Sequence, residues 1–125
     1  MEFEPIGTVD TPIEATTDAP RQGAEADVEG VLHVDPAHEA GLRGVEPGQF
    51  LDVVWVAHRA DRVLTVGSHR GDGDRGVFAT RSPARPNPIC VTTVEVLAVD
   101  GTDLAIRGVD MLDGSPVLDV KRAMR

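Results

Sequence analysis

The chain has no tyrosine, one tryptophan, three phenylalanines and one cysteine, and Lys121 is its single lysine. With so few aromatics, any core must be built from Val, Leu, Ile and Ala, and stacking surfaces for exposed bases are scarce. A lone thiol, Cys90, excludes an internal disulfide, so a reducing cytoplasm is the expected compartment. No apolar run approaches the roughly 18 residues of a membrane-spanning helix. The opening, MEFEPIGTVD, is acidic where a secretion signal is basic, so no membrane partner is expected. The histidines, at 33, 38, 58 and 69, show no paired ligand spacing, and no metal site is expected.

What is present is a chain of 125 residues with 41% hydrophobic content, enough for one core and one domain over 1–125. The formal charge of −9 opposes generic nucleic-acid binding, which depends on neutralising phosphates. Its distribution is uneven. Residues 58–85 hold six arginines against three aspartates, whereas residues 1–57 hold twelve acids and two arginines. Two readings of this asymmetry stand: a basic face on an acidic protein, or solvated loop charge in a chain from an acid-rich proteome.

Strand-like runs recur, and helical periodicity is nearly absent. Apolar or β-branched runs fall at 3–9, 28–34, 51–57, 63–66, 91–99, 104–109 and 117–120. Asp100-Gly101 between two of them predicts a hairpin. Residues 36–43 predict a short helix with Asp35 as N-cap and Pro36 in its first position, ending near Gly41 or Gly44. Seven short strands with little helix predict an all-β domain, a small barrel or sandwich.

Several motifs have plain explanations. Gly71-Asp-Gly-Asp-Arg-Gly76 spells a phosphate-loop pattern, but no helix can follow it and its aspartates repel phosphate, so it reads as a turn. His58-Arg59 end an apolar strand, which suits either a site or the point where a strand meets solvent. Cys90 reads as an inert thiol, and no covalent catalysis is expected. Asp113-Gly114-Ser-Pro116 reads as a turn. Asp119 and Lys121, two apart on a strand, share a face and read first as a surface ion pair. The segment Arg81-Ser-Pro-Ala-Arg85-Pro-Asn87-Pro-Ile89 is more specific. Its prolines stiffen a loop on which two arginines can fix a carboxylate or phosphate, and Asn87 offers both donor and acceptor to a heterocycle.

Gly76-Val-Phe-Ala-Thr-Arg-Ser-Pro-Ala-Arg-Pro-Asn-Pro-Ile89 and Asp110-Met-Leu-Asp-Gly-Ser-Pro-Val-Leu-Asp-Val-Lys121 resemble the TrmO family of tRNA N6-methyltransferases. Pro5-Ile-Gly7, Ala19-Pro-Arg-Gln22 and the strand ending in His58 extend the resemblance over almost the whole chain. It implies a seven-stranded β-barrel, homodimeric, with S-adenosylmethionine bound near the subunit interface. Cofactor contacts are implied for Pro20, Arg21, Gln22, His58, Arg59, Arg81, Val91, Met111, Leu112, Asp113 and Gly114. The implied acceptor is N6 of threonylcarbamoyladenosine beside the tRNA anticodon. In that chemistry Asp119 is the candidate for taking the acceptor proton, with Lys121 or Arg85 holding the threonyl carboxylate or a phosphate and Asn87 at the acceptor. Departures are Cys90 in place of glycine, the ending Arg-Ala-Met-Arg in place of Pro-Tyr-x-Pro, and no C-terminal tRNA-gripping domain. A small-molecule methyltransferase and a non-catalytic S-adenosylmethionine-binding protein are the alternatives.

Overall fold

The computed structural model describes residues 1–14, 27–67 and 73–124. Six strands close into an antiparallel barrel in the order β1-β2-β7-β6-β3-β8. These are β1 (Gly7–Asp10), β2 (Glu29–Val34), β3 (Phe50–Val56), β6 (Ile89–Asp100), β7 (Asp103–Arg107) and β8 (Ser115–Arg122). The ring is completed where β8 meets β1, with Val117 opposite Gly7 and Ser115 opposite Val9. Two further strands, β4 (Thr65–Gly67) and β5 (Asp74–Gly76), pair only with each other.

The all-β architecture follows from alternation. In β3, Leu51, Val53 and Trp55 point inward and are buried, while Asp52, Val54 and Val56 alternate with them on the outer wall. Val9, Leu32, Val94, Val96, Leu104, Ile106, Met111 and Val117 complete an almost wholly aliphatic core. Each such side chain contributes about 1.5–3 kcal/mol on burial. Trp55 is the one aromatic inside. Its indole Nε1 donates to Thr92 Oγ1 at 3.0 Å, and that hydroxyl donates to Asp110 Oδ1 at 2.6 Å. The chain of bonds leaves the buried polar atoms of Trp55 and Thr92 satisfied, as a low-dielectric interior requires.

The twelve residues of β6 serve two partners. Residues from Ile89 to Glu95 pair with β3 and those from Glu95 to Asp100 with β7. Leu97 is an extra residue in the second ladder, a bulge that bends the strand and helps so few strands close. The hairpin that follows has Gly101 (φ 62°) and Thr102 as its two-residue loop, so the glycine takes the first central position, as in a type II′ turn. The sequence signal located the hairpin; the turn lies one residue later than Asp100-Gly101.

Two expectations are corrected. The barrel formed by the described residues has six strands, not seven, because residues 63–66 do not supply a buried strand. Leu64 is 68% exposed, and only Thr65–Gly67 pairs, locally, with β5. The first strand starts at Gly7 rather than at Phe3, which is 73% exposed. The short helix foreseen at 36–43 is present as a 3-10 helix, Pro36–Leu42, with no buried residue along it. Its predicted cap is present: Asp35 Oδ1 accepts from Ala37 N at 3.0 Å. No helix among the described residues is long and apolar enough to cross a membrane.

On the outer wall His33 bridges three neighbouring strands. Its Nε2 lies 2.7 Å from Asp10 Oδ2 on β1 and its Nδ1 2.8 Å from Asp103 Oδ1 on β7. The Asp103 and Asp10 hydrogen bonds raise the His33 pKa above its usual 6.5, because only the imidazolium donates from both nitrogens. A group whose folded pKa is raised stabilises fully below its unfolded value and loses that contribution as pH rises through the folded value. The melting temperature of wild type minus that of His33→Gln is therefore expected to be largest near pH 6 and to shrink above it. A difference that grows towards pH 8 would contradict the bridge.

Candidate functional site

One end of the barrel carries a cleft lined by Trp55, Ala57, His58, Arg59, Ala60, Pro83, Leu112 and Ser115. Three separate stretches of chain meet there. The first is the run out of β3, where alternation brings Trp55 and Ala57 inward and leaves His58 and Arg59 exposed at the rim. Ala57 N donates to Pro88 O at 2.8 Å, which ties this strand end to the proline loop.

The second stretch is that loop. Residues 80–88 contain no regular element, yet side-chain bonds hold them firmly. Arg85 donates to the carbonyls of Val77 (3.2 Å), Thr80 (3.4 Å) and Ser82 (3.0 Å). Thr80 Oγ1 donates to Val77 O, and Arg62 reaches Pro86 O at 2.8 Å. Arg81 Nη2 donates to Val91 O at 3.2 Å, joining two residues that the resemblance assigned to the cofactor.

The third is the β7–β8 connection. Leu112 faces the cleft, and Ser115 Oγ donates to Leu112 O at 2.6 Å. Asp113 Oδ1 accepts from Thr11 N at 3.0 Å, Asp113 N donates to Ile13 O at 2.8 Å, and Gly114 N to Val9 O at 2.8 Å. Gly114 has φ 80°, which a side chain would strain. The turn foreseen at Asp113-Gly114 is thus laced to the segment that follows β1.

The expected residues distribute unevenly over this geometry. His58, Arg59 and Leu112 line the cleft. Met111 is fully buried in the core, so its side chain is part of the packing. Val91 is exposed on the outer wall, beside the barrel end. Arg85, a candidate for the acceptor, turns its guanidinium into its own loop. Asn87 is exposed, and its carbonyl accepts from Ile89 N at 2.7 Å. Asp119 and Lys121 share the outer face as the strand period predicts, but they form no ion pair with each other. Asp119 Oδ1 accepts instead from Val120 N at 2.9 Å, and Lys121 lies opposite Asp52. Pro20, Arg21 and Gln22 lie outside the described residues. The sequence reading missed Trp55, Ala57, Ala60, Pro83 and Ser115; a tryptophan two residues before His58, in the buried phase of its strand, was the available signal.

Among the described residues, the arginines around the cleft bond carbonyls rather than carboxylates. Arg59, Arg62, Arg81 and Arg85 bond backbone carbonyls, Arg59 reaching Glu14 O at 3.3 Å. Among the described residues no carboxylate pairs with any of them or with Arg75. Carbonyl bonds orient a guanidinium without cancelling its charge, which is the arrangement a preorganised anion site needs. Cys90, opposite Trp55 in the ladder, behaves differently. Burial, and then the Asp110 carboxylate, push its thiol up to about 11. Alkylation of native protein by iodoacetamide should be slow at pH 7.5 and accelerate only as pH approaches 11. Rapid labelling at neutral pH would show an accessible thiolate that this site does not provide.

A small closed antiparallel barrel, with an apolar cleft at one end and oriented arginines beside it, is the framework of a ligand-binding domain. The model of the tRNA-methyltransferase O N-terminal domain matches residues 8–124. A probable S-adenosyl-L-methionine-binding protein of Halobacterium salinarum is 56% identical over 127 residues, covering 99% of each chain. The tRNA (adenine(37)-N6)-methyltransferase of Escherichia coli is 36% identical, covering 97% of this chain and 57% of that one. The crystal structure of TrmO from Pseudomonas aeruginosa superposes with a TM-score of 0.84 at 29% identity, over 99% of this chain and 56% of that one. The chain belongs to the TrmO N-terminal-domain family.

Proposed function

We propose that this protein is an S-adenosyl-L-methionine-dependent methyltransferase acting in the cytoplasm on N6 of an adenosine in tRNA, with threonylcarbamoyladenosine beside the anticodon as the acceptor. The observation that carries this reading is the meeting of the His58-Arg59 strand end, the Pro83 loop and the Leu112–Ser115 turn in one apolar cleft. Relatives named as tRNA (adenine(37)-N6)-methyltransferases in Escherichia coli and mouse support it.

The described residues offer part of a site for the cofactor. Trp55, Ala57, Ala60, Pro83 and Leu112 give an apolar slot for the nucleoside, and Arg59 with His58 at the rim suits the carboxylate of the methionyl part. When bound, the cofactor supplies an electrophilic methyl group on a sulfonium that departs without acid assistance. The chain's own contribution is positioning: a rigid loop and a laced turn that hold two reactants at close range and exclude water. Asp119 remains the proposed proton acceptor, with Lys121 beside it. Because both stand on the outer wall, their participation needs a second copy of the chain to bring a neighbouring cleft to them. A homodimer across the wall bearing Ile89 (46% exposed) and Val91 (44% exposed) meets that need. Sedimentation then reports a dimer.

Labelled cofactor, incubated with tRNA from cells lacking this gene and followed by nucleoside analysis, tests the acceptor. Label in N6-methyl-threonylcarbamoyladenosine is the expected result, with tRNA affinity falling steeply as salt rises. The net charge of −9 favours the rival, a small-molecule acceptor, which predicts turnover insensitive to salt. Tight cofactor binding without any transfer indicates a binding protein, the function named for the Halobacterium relative.

A further inference from the structure

Phe78 is 79% exposed, and its presentation is rigid. It occupies the middle of the 3-10 turn Val77–Ala79, whose first residue is fully buried. Val77 N donates to Leu64 O at 2.9 Å, and Val77 O accepts from Thr80 N (3.0 Å), Thr80 Oγ1 (2.9 Å) and Arg85 Nη2 (3.2 Å). A large ring held in water on a turn tied by four hydrogen bonds to Val77 is not explained by folding, since the core would take it more favourably. Leu64, also exposed, is joined to the same turn through its carbonyl. Arg75 enters the turn from β5, and Arg81 leaves it towards the cleft loop; neither has a carboxylate partner among the described residues.

An aromatic face beside uncompensated guanidiniums matches the chemistry of single-stranded RNA. Bases stack on the ring while arginines meet the phosphates. A protein partner fits less well: a two-fold contact centred on this turn would bring the arginines of each copy towards those of the other. We infer that Phe78 is the stacking platform for a base flanking the methyl acceptor, with Arg81 as its phosphate contact. The inference rests on the tRNA reading above and adds to it the residue that holds the strand. Of the chain's other aromatics, Trp55 is buried and lines the cofactor cleft, Phe50 lies on β3 in the ladder with β6, and Phe3, also exposed, precedes β1 outside any strand or turn.

The test uses the full chain with cofactor, an anticodon stem-loop RNA as the probe, and the variants Phe78→Ala and Phe78→Trp. Phe78→Ala is expected to weaken stem-loop binding about tenfold or more by fluorescence anisotropy. KM for tRNA should rise by a similar factor with kcat little changed, and Phe78→Trp should retain wild-type values. Cofactor affinity by calorimetry and the sedimentation coefficient should not move. Wild-type RNA affinity in Phe78→Ala, while the wild type methylates tRNA, overturns the inference and leaves the tRNA reading intact. A changed sedimentation coefficient overturns it in favour of a contact between copies. A wild-type protein that neither binds the stem-loop nor transfers methyl removes the tRNA reading, and this inference falls with it.

Discussion

Gly7→Ala is expected to cost about 3–5 kcal/mol and to lower the melting temperature by roughly 10–20 °C. Gly7 pairs with Val34 on β2 and Val117 on β8, so it sits at the seam that completes the ring. A Cβ there would stand 2.0 Å from the His33 carbonyl oxygen and 3.1 Å from Val34 Cα, both backbone atoms of the neighbouring strand. A flexible side chain could swing aside; a strand held in a ladder on both edges cannot. The whole of β1 must therefore shift, loosening Val9 in the core and the Gly114 N to Val9 O bond that fastens the site's turn. Gly41→Ala is the control, because a Cβ at Gly41 meets nothing within 4 Å. Thermal melts followed by near-ultraviolet dichroism of Trp55 report both. A Gly7→Ala protein that melts with the wild type would show that β1 and β2 are not packed as described.

Arg85→Lys is expected to weaken cofactor binding at least about tenfold while leaving the melting temperature within a few degrees. The guanidinium reaches three carbonyls of its own loop, which a fork of five donors can do. An ammonium on a flexible stem cannot span Val77, Thr80 and Ser82 together. Without that brace the loop samples other shapes and Pro83 leaves its place on the cleft wall, so binding must order it again. The barrel core is untouched, hence the separation of affinity from stability. Calorimetric titration with S-adenosylmethionine measures the first, and the melt measures the second. Equal affinity in Arg85→Lys would mean that the loop is shaped by its prolines alone.

The contrast between these residues shows what was legible in the sequence. Apolar runs at 51–57 and 104–109 announced strands, and Asp100-Gly101 announced the hairpin, because both signals are local. The number of strands in the ring was not legible. Residues 63–66 have the composition of a buried strand, and only the ladder shows that they pair locally outside it. For the site, the motifs named segments that the fold brings together at one cleft. Motifs mark which residues occur together, not which way each side chain turns. Arg85 looked like a ligand-binding cation and braces its loop; Asp113 looked like a bare turn and is tied to Thr11 and Ile13. Asp119 lies beyond the bulge at Leu118, where β8 changes register against β3, and it faces solvent. Trp55 needed no motif, only the phase of its strand and its place just before His58-Arg59.

The ring of six strands closes without help from the β4–β5 ribbon or the turn that bears Phe78. Closure of the ring is therefore independent of the ribbon and the turn. Exchange of the appendage between relatives should redirect what is recognised while the recipient keeps its heat tolerance, so one scaffold can be carried through a change of acceptor without passing through an unfolded ancestor.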